Sequence, residues 1–538
     1  MNRPPDREGF FMQHSPLAMA LAGALTLIAA PAGAQSATAP TPPVRALHAN
    51  FADLPFAVAR LEISGATVYQ PDQLLRFALA LAGGDAAPLT VARMTKLIEQ
   101  VYREDGFALA EASARVDAPT GTVHWDISEG HVAQVRVTGV EAPIRLRVER
   151  YLNALVRQRP LTQSSLERAV ALADDLAGIN VSTALVPLPG EGHLLDASVT
   201  QSPPFTSLSL DWVPIRPGYS ARLALQHERY GLLGAGDLLR LQAMGTRDRG
   251  EGHSWLARVH YRTPRGDDGD YLELIAGNGR SDRDPGGLAQ NTELRGTNAT
   301  FAWGYPLQRD LHGFSYVIGA LDHARARMKI GAVTPRSEAT AARLYLVNGD
   351  TSSDGRLLQY TVELSAGTRP ATPAGQVDDG RSRFVHARAG LGASGHWSLG
   401  RSLMSYRFEA LGQWTADSLP SVEKFGLGHY PFLRGYAPAE AVGDRGGAFT
   451  FELAHHGSHD NGINRVSPFV FVAGGRAASV GTAFTASDGR TLASTGIGLR
   501  GNPAERVGME VWCAWPLRDG PLSKKNDPAF YLQVGTQW

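Results

Sequence analysis

Phe530-Tyr531-Leu532-Gln533-Val534-Gly535-Thr536-Gln537-Trp538 ends the chain on a regular alternation. Phe530, Leu532, Val534, Thr536 and Trp538 share one face; Tyr531, Gln533, Gly535 and Gln537 share the other. Successive side chains of a strand point to opposite sides, so this reads as a strand with one apolar face. That face is expected against lipid, with Trp538 at the membrane–water boundary that tryptophan favours. Phe530, Leu532, Val534 and Trp538 then form the C-terminal signal of a bacterial outer-membrane barrel, read by the barrel-assembly machinery.

The same alternation runs upstream to about Pro203. Ser207-Leu208-Ser209-Leu210-Asp211-Trp212, Tyr360-Thr361-Val362-Glu363-Leu364 and Phe449-Thr450-Phe451-Glu452-Leu453 each separate an apolar from a polar face. A soluble sandwich also alternates. Here the polar face sets Asp, Glu and Arg in mid-strand, which a wet barrel interior tolerates. About 16 such segments, of about ten residues each, predict a membrane β-barrel of antiparallel strands over 203–538.

The N-terminal part reads differently. Arg3 and Arg7 precede an apolar run, Leu17 to Ala30, and Ala32-Gly33-Ala34 precedes Gln35. This predicts a signal peptide over 1–34. An Ala/Pro-rich linker, 35–54, follows. Residues 55–130 and 131–202 then form a repeat. Val58-Ala59-Arg60-Leu61-Glu62-Ile63-Ser64-Gly65 returns as Val132-Ala133-Gln134-Val135-Arg136-Val137-Thr138-Gly139. Pro88-Leu89-Thr90 returns as Pro160-Leu161-Thr162, and Gly106 as Gly178, at one offset. Helical spacing over Pro71 to Leu81, Leu89 to Tyr102, Arg145 to Val156 and Thr162 to Leu176 gives each copy the order β-α-α-β-β.

Several function classes drop out. Lys+Arg and Asp+Glu are both 52, so no basic excess points to nucleic acid. Cys513 is the single cysteine, which forms no internal disulfide and no structural zinc site. His455, His456 and His459 read as a polar loop end rather than a metal site. Gly392-Ala393-Ser394-Gly395 lacks the following helix of a nucleophile elbow. The sequence offers no catalytic constellation and calls for no cofactor or metal, so no enzyme is expected.

One segment, 416–447, interrupts the barrel pattern. It holds Gly426-Leu427-Gly428-His429-Tyr430-Pro431-Phe432-Leu433-Arg434-Gly435-Tyr436 and closes on Gly443-Asp444-Arg445-Gly446-Gly447. A loop this long is usually functional. Eleven strand candidates precede it and five follow. Leu433-Arg434-Gly435-Tyr436 resembles the V-R-G-Y/F tetrad of the two-partner secretion transporters (the ShlB/FhaC/HecB haemolysin secretion/activation family) and of relatives such as BamA. Tyr102-Arg103-Glu104-Asp105-Gly106-Phe107, Ile127-Ser128-Glu129-Gly130-His131-Val132 and the Phe-x-Phe-Glu-Leu pattern also look like that family. The repeats are similar to its two POTRA domains.

The resemblance implies a loop folded back into the barrel, with the tetrad arginine on an acidic group of the inner wall. Asp444 and Glu452 are both candidates for that partner of Arg434. The acid that family members carry in a Phe-x-Asp-x-Gly pattern is replaced here by Ala473. Arg suits the contact because it can make a two-pronged bond to a carboxylate. Gly435 permits a turn, and Tyr436 is expected to pack on the wall with its hydroxyl in water. The resemblance further implies an outer-membrane pore with periplasmic POTRA domains, exporting an unfolded haemolysin- or adhesin-type exoprotein that carries an N-terminal secretion domain. A barrel-assembly insertase and a passive porin or receptor are the rival readings.

Overall fold

The computed structural model describes residues 51–82, 89–189, 192–214, 219–248, 252–282, 292–330, 334–371, 380–400, 402–428, 432–456, 466–481, 489–504 and 506–538. The expected signal peptide, all of the linker before Phe51, and His459 lie outside these residues. Among the described residues one compact unit ends at Gln201 and a second runs from Ser202 to Trp538.

The first unit contains two three-stranded sheets, each with two helices. In the first, strand Arg60–Ser64, helices Pro71–Ala82 and Val91–Glu104, and strands Glu111–Asp117 and Thr122–Ser128 follow in order. The last strand is central, parallel to the first and antiparallel to the second. Helix Val91–Glu104 starts where the Thr90 hydroxyl accepts the Arg93 N–H at 3.1 Å, relieving one orphan amide of the first turn. Its Met94, Leu97, Ile98 and Val101 repeat at helical spacing and bury against Val123, Trp125 and Ile127. Gly106, at φ +86°, turns the chain out of the helix.

The second sheet repeats the plan with Val132–Thr138, Ile179–Pro187 and His193–Gln201. Thr162 caps its second helix as Thr90 caps the earlier one. Its first helix differs from expectation. It begins at Ala142 and passes at Leu152 into a 3-10 turn, Asn153–Arg157. Pro143 in the first turn presets the helical φ and starts the helix early.

The second unit is a closed barrel of sixteen strands, from Phe205–Pro214 to Ala529–Gln537. Neighbours pair antiparallel. The last strand closes on the first from Leu532↔Trp212 to Gln537↔Ser207, and Thr206 and Trp538 exchange backbone hydrogen bonds at 2.9 and 3.0 Å. Leu210, Leu223, Leu274, Leu321, Leu344, Leu364 and Ile497 are exposed, whereas Asp211, Glu228, Glu363, Glu452 and Glu510 are buried. This inverts the pattern of a water-soluble fold and suits a hydrocarbon exterior. The inward charges pair across strands: Arg222 with Asp211 at 2.6 Å, Arg240 with Glu228 at 2.6 Å, Arg500 with Glu510 at 2.8 Å. Among the described residues no helix is long and apolar enough to cross a membrane.

Several strands outrun the expected length of about ten residues, and two of them most of all. Thr292–Arg309 and Gly313–Ile330 each have 18 residues. A tilted strand needs only about 9–11 to cross the hydrocarbon, so this hairpin continues as paired sheet past the membrane. Eleven barrel strands precede the long loop and five follow it. Eleven is odd, so the loop leaves the barrel at the end opposite the one where its first strand begins.

Candidate functional site

The loop lies between strands Ser402–Trp414 and Arg445–His456. The return strand starts at Arg445 rather than at Phe449, because Arg445 to Ala448 already pair with Ala478 to Gly475. The glycines there carry no side chain to show alternation. Within the loop, Phe425–Leu427 pairs with Ala441–Gly443, and a 3-10 turn, Ser421–Glu423, stands before them. Phe425, Leu427, Leu433 and Tyr436 pack on Ala448, Ala473, Ala477 and Leu492 of the wall. Small wall residues make that seat. Ala473, where the resemblance leads one to expect an acid, contributes a methyl to it.

Arg434 is 3% exposed. Its Nη2 donates to Glu452 Oε2 at 2.9 Å, and Arg500 Nη2 donates to the other oxygen, Oε1, at 2.8 Å. The guanidinium also lies 4.4 Å from the Phe471 ring centre and 5.7 Å from that of Trp512, a cation–π setting. Asp444 serves elsewhere. It accepts the Leu419 and Val480 N–H groups at 2.8 and 2.7 Å and draws in Lys424 at 3.5 Å, holding the neck of the loop.

Gly435 has φ +97°, a region that side chains other than glycine rarely adopt. Its N–H donates to the Tyr531 hydroxyl at 2.8 Å. Tyr436 departs from expectation: its hydroxyl is not in water. The residue is 1% exposed, and its oxygen sits 2.9 and 2.8 Å from the carbonyls of Ala493 and Arg518. The last loop, 517–528, folds over it and leaves the hydroxyl with backbone partners.

Two anchors were not legible in the sequence. Glu440 accepts the Leu522 and Ser523 N–H groups at 2.7 and 2.8 Å and the Ser523 hydroxyl at 2.8 Å. Glu423 accepts from Arg343 Nη2 at 2.8 and 3.0 Å and lies 3.1 Å from His386 Nε2. Arg343 Nη1 donates to Glu363 at 2.9 Å. Glu423 looks like an ordinary loop acid, and its partner is 80 residues away in sequence. Arg343 lies on the eighth barrel strand and Tyr531 on the sixteenth. The loop's wall contacts therefore reach from the eighth strand to the sixteenth.

The remaining sequence candidates fall as follows. Phe530, Leu532 and Trp538 are exposed on the outer face and Val534 is half-buried. Tyr531 is buried within and stacks on Trp512 at 4.8 Å. His456 sits between the Ser405 and Ser467 hydroxyls at 2.7 and 2.9 Å. Gly392 to Gly395 lie within strand Arg383–Leu399. In the first unit Ser64 Oγ lies 3.0 Å from His124 Nε2, but Asp126 Oδ1 is also 3.0 Å from that nitrogen. A carboxylate there competes for the position that would activate the serine, so the group is a polar sheet-face network. Glu129 accepts the Val68 N–H at 2.9 Å, the Tyr102 hydroxyl at 2.8 Å and the Thr67 N–H at 2.6 Å. It thereby clamps the motif that joins the two sheets.

Residues 219–501, just over half of the chain, match the family model of the haemolysin secretion/activation protein ShlB/FhaC/HecB. No curated protein matches by sequence. The structure is similar to CdiB from Escherichia coli, with 17% identity, 90% of each chain covered and a TM-score of 0.69. It is similar also to CdiB from Acinetobacter baumannii, with 15% identity, 89% of this chain and 90% of that one covered, and a TM-score of 0.65. At these identities the structural likeness speaks for the fold: a barrel preceded by segments resembling POTRA domains.

Proposed function

The chain belongs to the ShlB/FhaC/HecB haemolysin secretion/activation family of outer-membrane transporters, and on that premise we propose that it exports one unfolded exoprotein of haemolysin or adhesin type. The observation that carries this reading is the loop pinned inside a closed barrel by Arg434 and Glu452. The two POTRA-like sheets that precede the barrel also argue against a passive porin, which has no use for them.

The POTRA-like units capture the client in the periplasm. Their sheets leave Arg60–Ser64, Glu111–Asp117, Val132–Thr138 and Ile179–Pro187 as edges. An edge strand takes up an extended peptide through backbone hydrogen bonds, with little sequence demand, which suits a client not yet folded. The client passes along the charged inner wall and folds outside. The barrel-assembly machinery inserts the transporter, and outer-membrane lipid surrounds it.

Export of the partner exoprotein by Arg434→Ala tests the reading, with barrel assembly verified by resistance to unfolding in detergent. Export falls at least tenfold if the tetrad fixes the working position of the loop. Wild-type export by an assembled variant contradicts it.

A further inference from the structure

We infer that the Glu423–Arg343 contact is the releasable latch of the loop, whereas the tetrad end stays anchored while the pore opens. This rests on the reading of the barrel as an export pore.

The two ends are built differently. The tetrad end buries Leu433 and Tyr436 completely, adds the Tyr531 and Tyr436 hydroxyl contacts, and is tied by Glu440 to the last loop. Lifting it would expose a contiguous apolar cluster to the wet lumen, and apolar exposure is costly. It would also take Arg434 off the Phe471 ring. The other end relies on polar bonds, those around Glu423 together with the Asp444 contacts to Leu419 and Lys424 and the Val422 N–H bond to the Ser337 hydroxyl. The Glu423 carboxylate binds Arg343 and His386, and its carbonyl accepts from Arg388 at 3.2 Å and Gln413 at 3.1 Å. Its apolar support is Leu419, seated on Ala339, Ala341 and Phe384, with half-buried Val422 beside it.

The wall also tolerates release at this end. Arg343 keeps Asp322, Glu363 and Ser365 when Glu423 departs, so no buried cation is left without an anion. Removing one partner of a buried pair is severe when the other stays uncompensated; here it is compensated. The freed carboxylate passes into water, its best solvent. The polarity is reversed between the two ends: the loop offers an anion to a wall cation at Glu423 and a cation to a wall anion at Arg434. One uniform change in the lumen therefore does not weaken both contacts in the same sense, and the two can work independently.

The test uses the full chain in planar bilayers without client, comparing wild type, Glu423→Gln and Arg434→Ala. In parallel, Val422→Cys and Leu433→Cys, each in a Cys513→Ser background, are labelled with a membrane-impermeant maleimide, with and without Glu423→Gln. Glu423→Gln is expected to raise channel open probability roughly fivefold or more, the lower end of the usual coupling between sites. It speeds labelling at position 422 and leaves position 433 unreactive. Unchanged gating together with unchanged labelling at 422 overturns the inference, and so does equal labelling at 422 and 433, which means the loop leaves as one body. Should Glu423→Gln fail to assemble, Arg343→Lys keeps the charge, loses the fork and is read in the same way. Failure of the export reading shows separately, as normal export by Arg434→Ala.

Discussion

The backbone N–H of Gly435, at the tip of the inward loop, donates to the hydroxyl of Tyr531 on the final strand at 2.8 Å. That strand also closes the barrel against Phe205–Pro214. The loop tip and the closing strand are thus one hydrogen-bonded assembly, and Tyr531 is held for the contact by its stack on Trp512.

Tyr531→Phe removes the acceptor and keeps the ring. A buried amide left without a partner costs about 1–3 kcal/mol. The unfolding temperature of the detergent-purified barrel should fall, and the fall should vanish in a variant whose loop has been deleted. An equal fall in both backgrounds places the effect in the Trp512 stack instead.

Gly435→Ala puts a methyl 3.3 Å from Ala514 Cβ and Pro516 Cδ, a contact the neighbours can relieve. The positive φ they cannot relieve, and it costs about 1–3 kcal/mol. Export should drop with this variant much as with Arg434→Ala. Full export would show that the tip adopts another backbone conformation during work.

Glu452→Ala should be worse than Arg434→Ala. The first takes the carboxylate from the buried Arg434 and the half-buried Arg500, although Arg500 keeps Glu510. The second leaves Glu452 still paired with Arg500. An uncompensated buried partner costs about 3–5 kcal/mol. Equilibrium unfolding of both variants checks the order, and a milder Glu452→Ala would contradict it.

Acid should loosen the N-terminal unit first around its joint. Burial pushes the Glu129 carboxyl up, but hydrogen bonds from Thr67, Val68 and Tyr102 outweigh it and hold the group below its ordinary range. Hydrogen bonds from Ser64 and His124 bring Asp126 down to about 2. Both folded values lie below the unfolded ones. Their stabilisation is therefore present above the usual carboxylate range and is lost as pH falls through the folded values. Hydrogen exchange across 60–128 in the full chain should rise as pH drops from about 4.5 towards 2, after correction for intrinsic rates. Glu129→Gln should be loosened already at neutral pH and respond less to acid. An identical profile for both proteins would contradict the assignment.

The barrel was legible because its signal is local. Alternation shows within each strand, and acids in mid-strand mark a wet interior; both are visible in Ser207 to Trp212 without knowledge of any partner. The duplicated Thr caps were legible for the same reason. The site was legible only in part. Arg434, Gly435 and Tyr436 stand out as a contiguous motif, and Glu452 stands as one of two acids nearby. The choice between Glu452 and Asp444 depends on which way a strand faces at the loop's seat. Glu423, Arg343, Glu440 and Tyr531 carry no local mark, since each acquires its role from a residue 80 or more positions away. The Tyr436 hydroxyl was expected in water because nothing in its own stretch reveals that loop 517–528 covers it.

The central claim is that an exported polypeptide travels inside this barrel. A photoreactive side chain placed at Gln226 or Gln242, which bond each other at 2.7 Å on the inner wall away from the loop, samples the lumen. The same group at Leu225 or Leu241, exposed on the outer face, samples lipid. With the partner exoprotein stalled in transit, irradiation should give transporter–client adducts from the two glutamine positions and none from the leucine positions. Adducts from the leucine positions alone, or none from any position while export proceeds, would contradict the account.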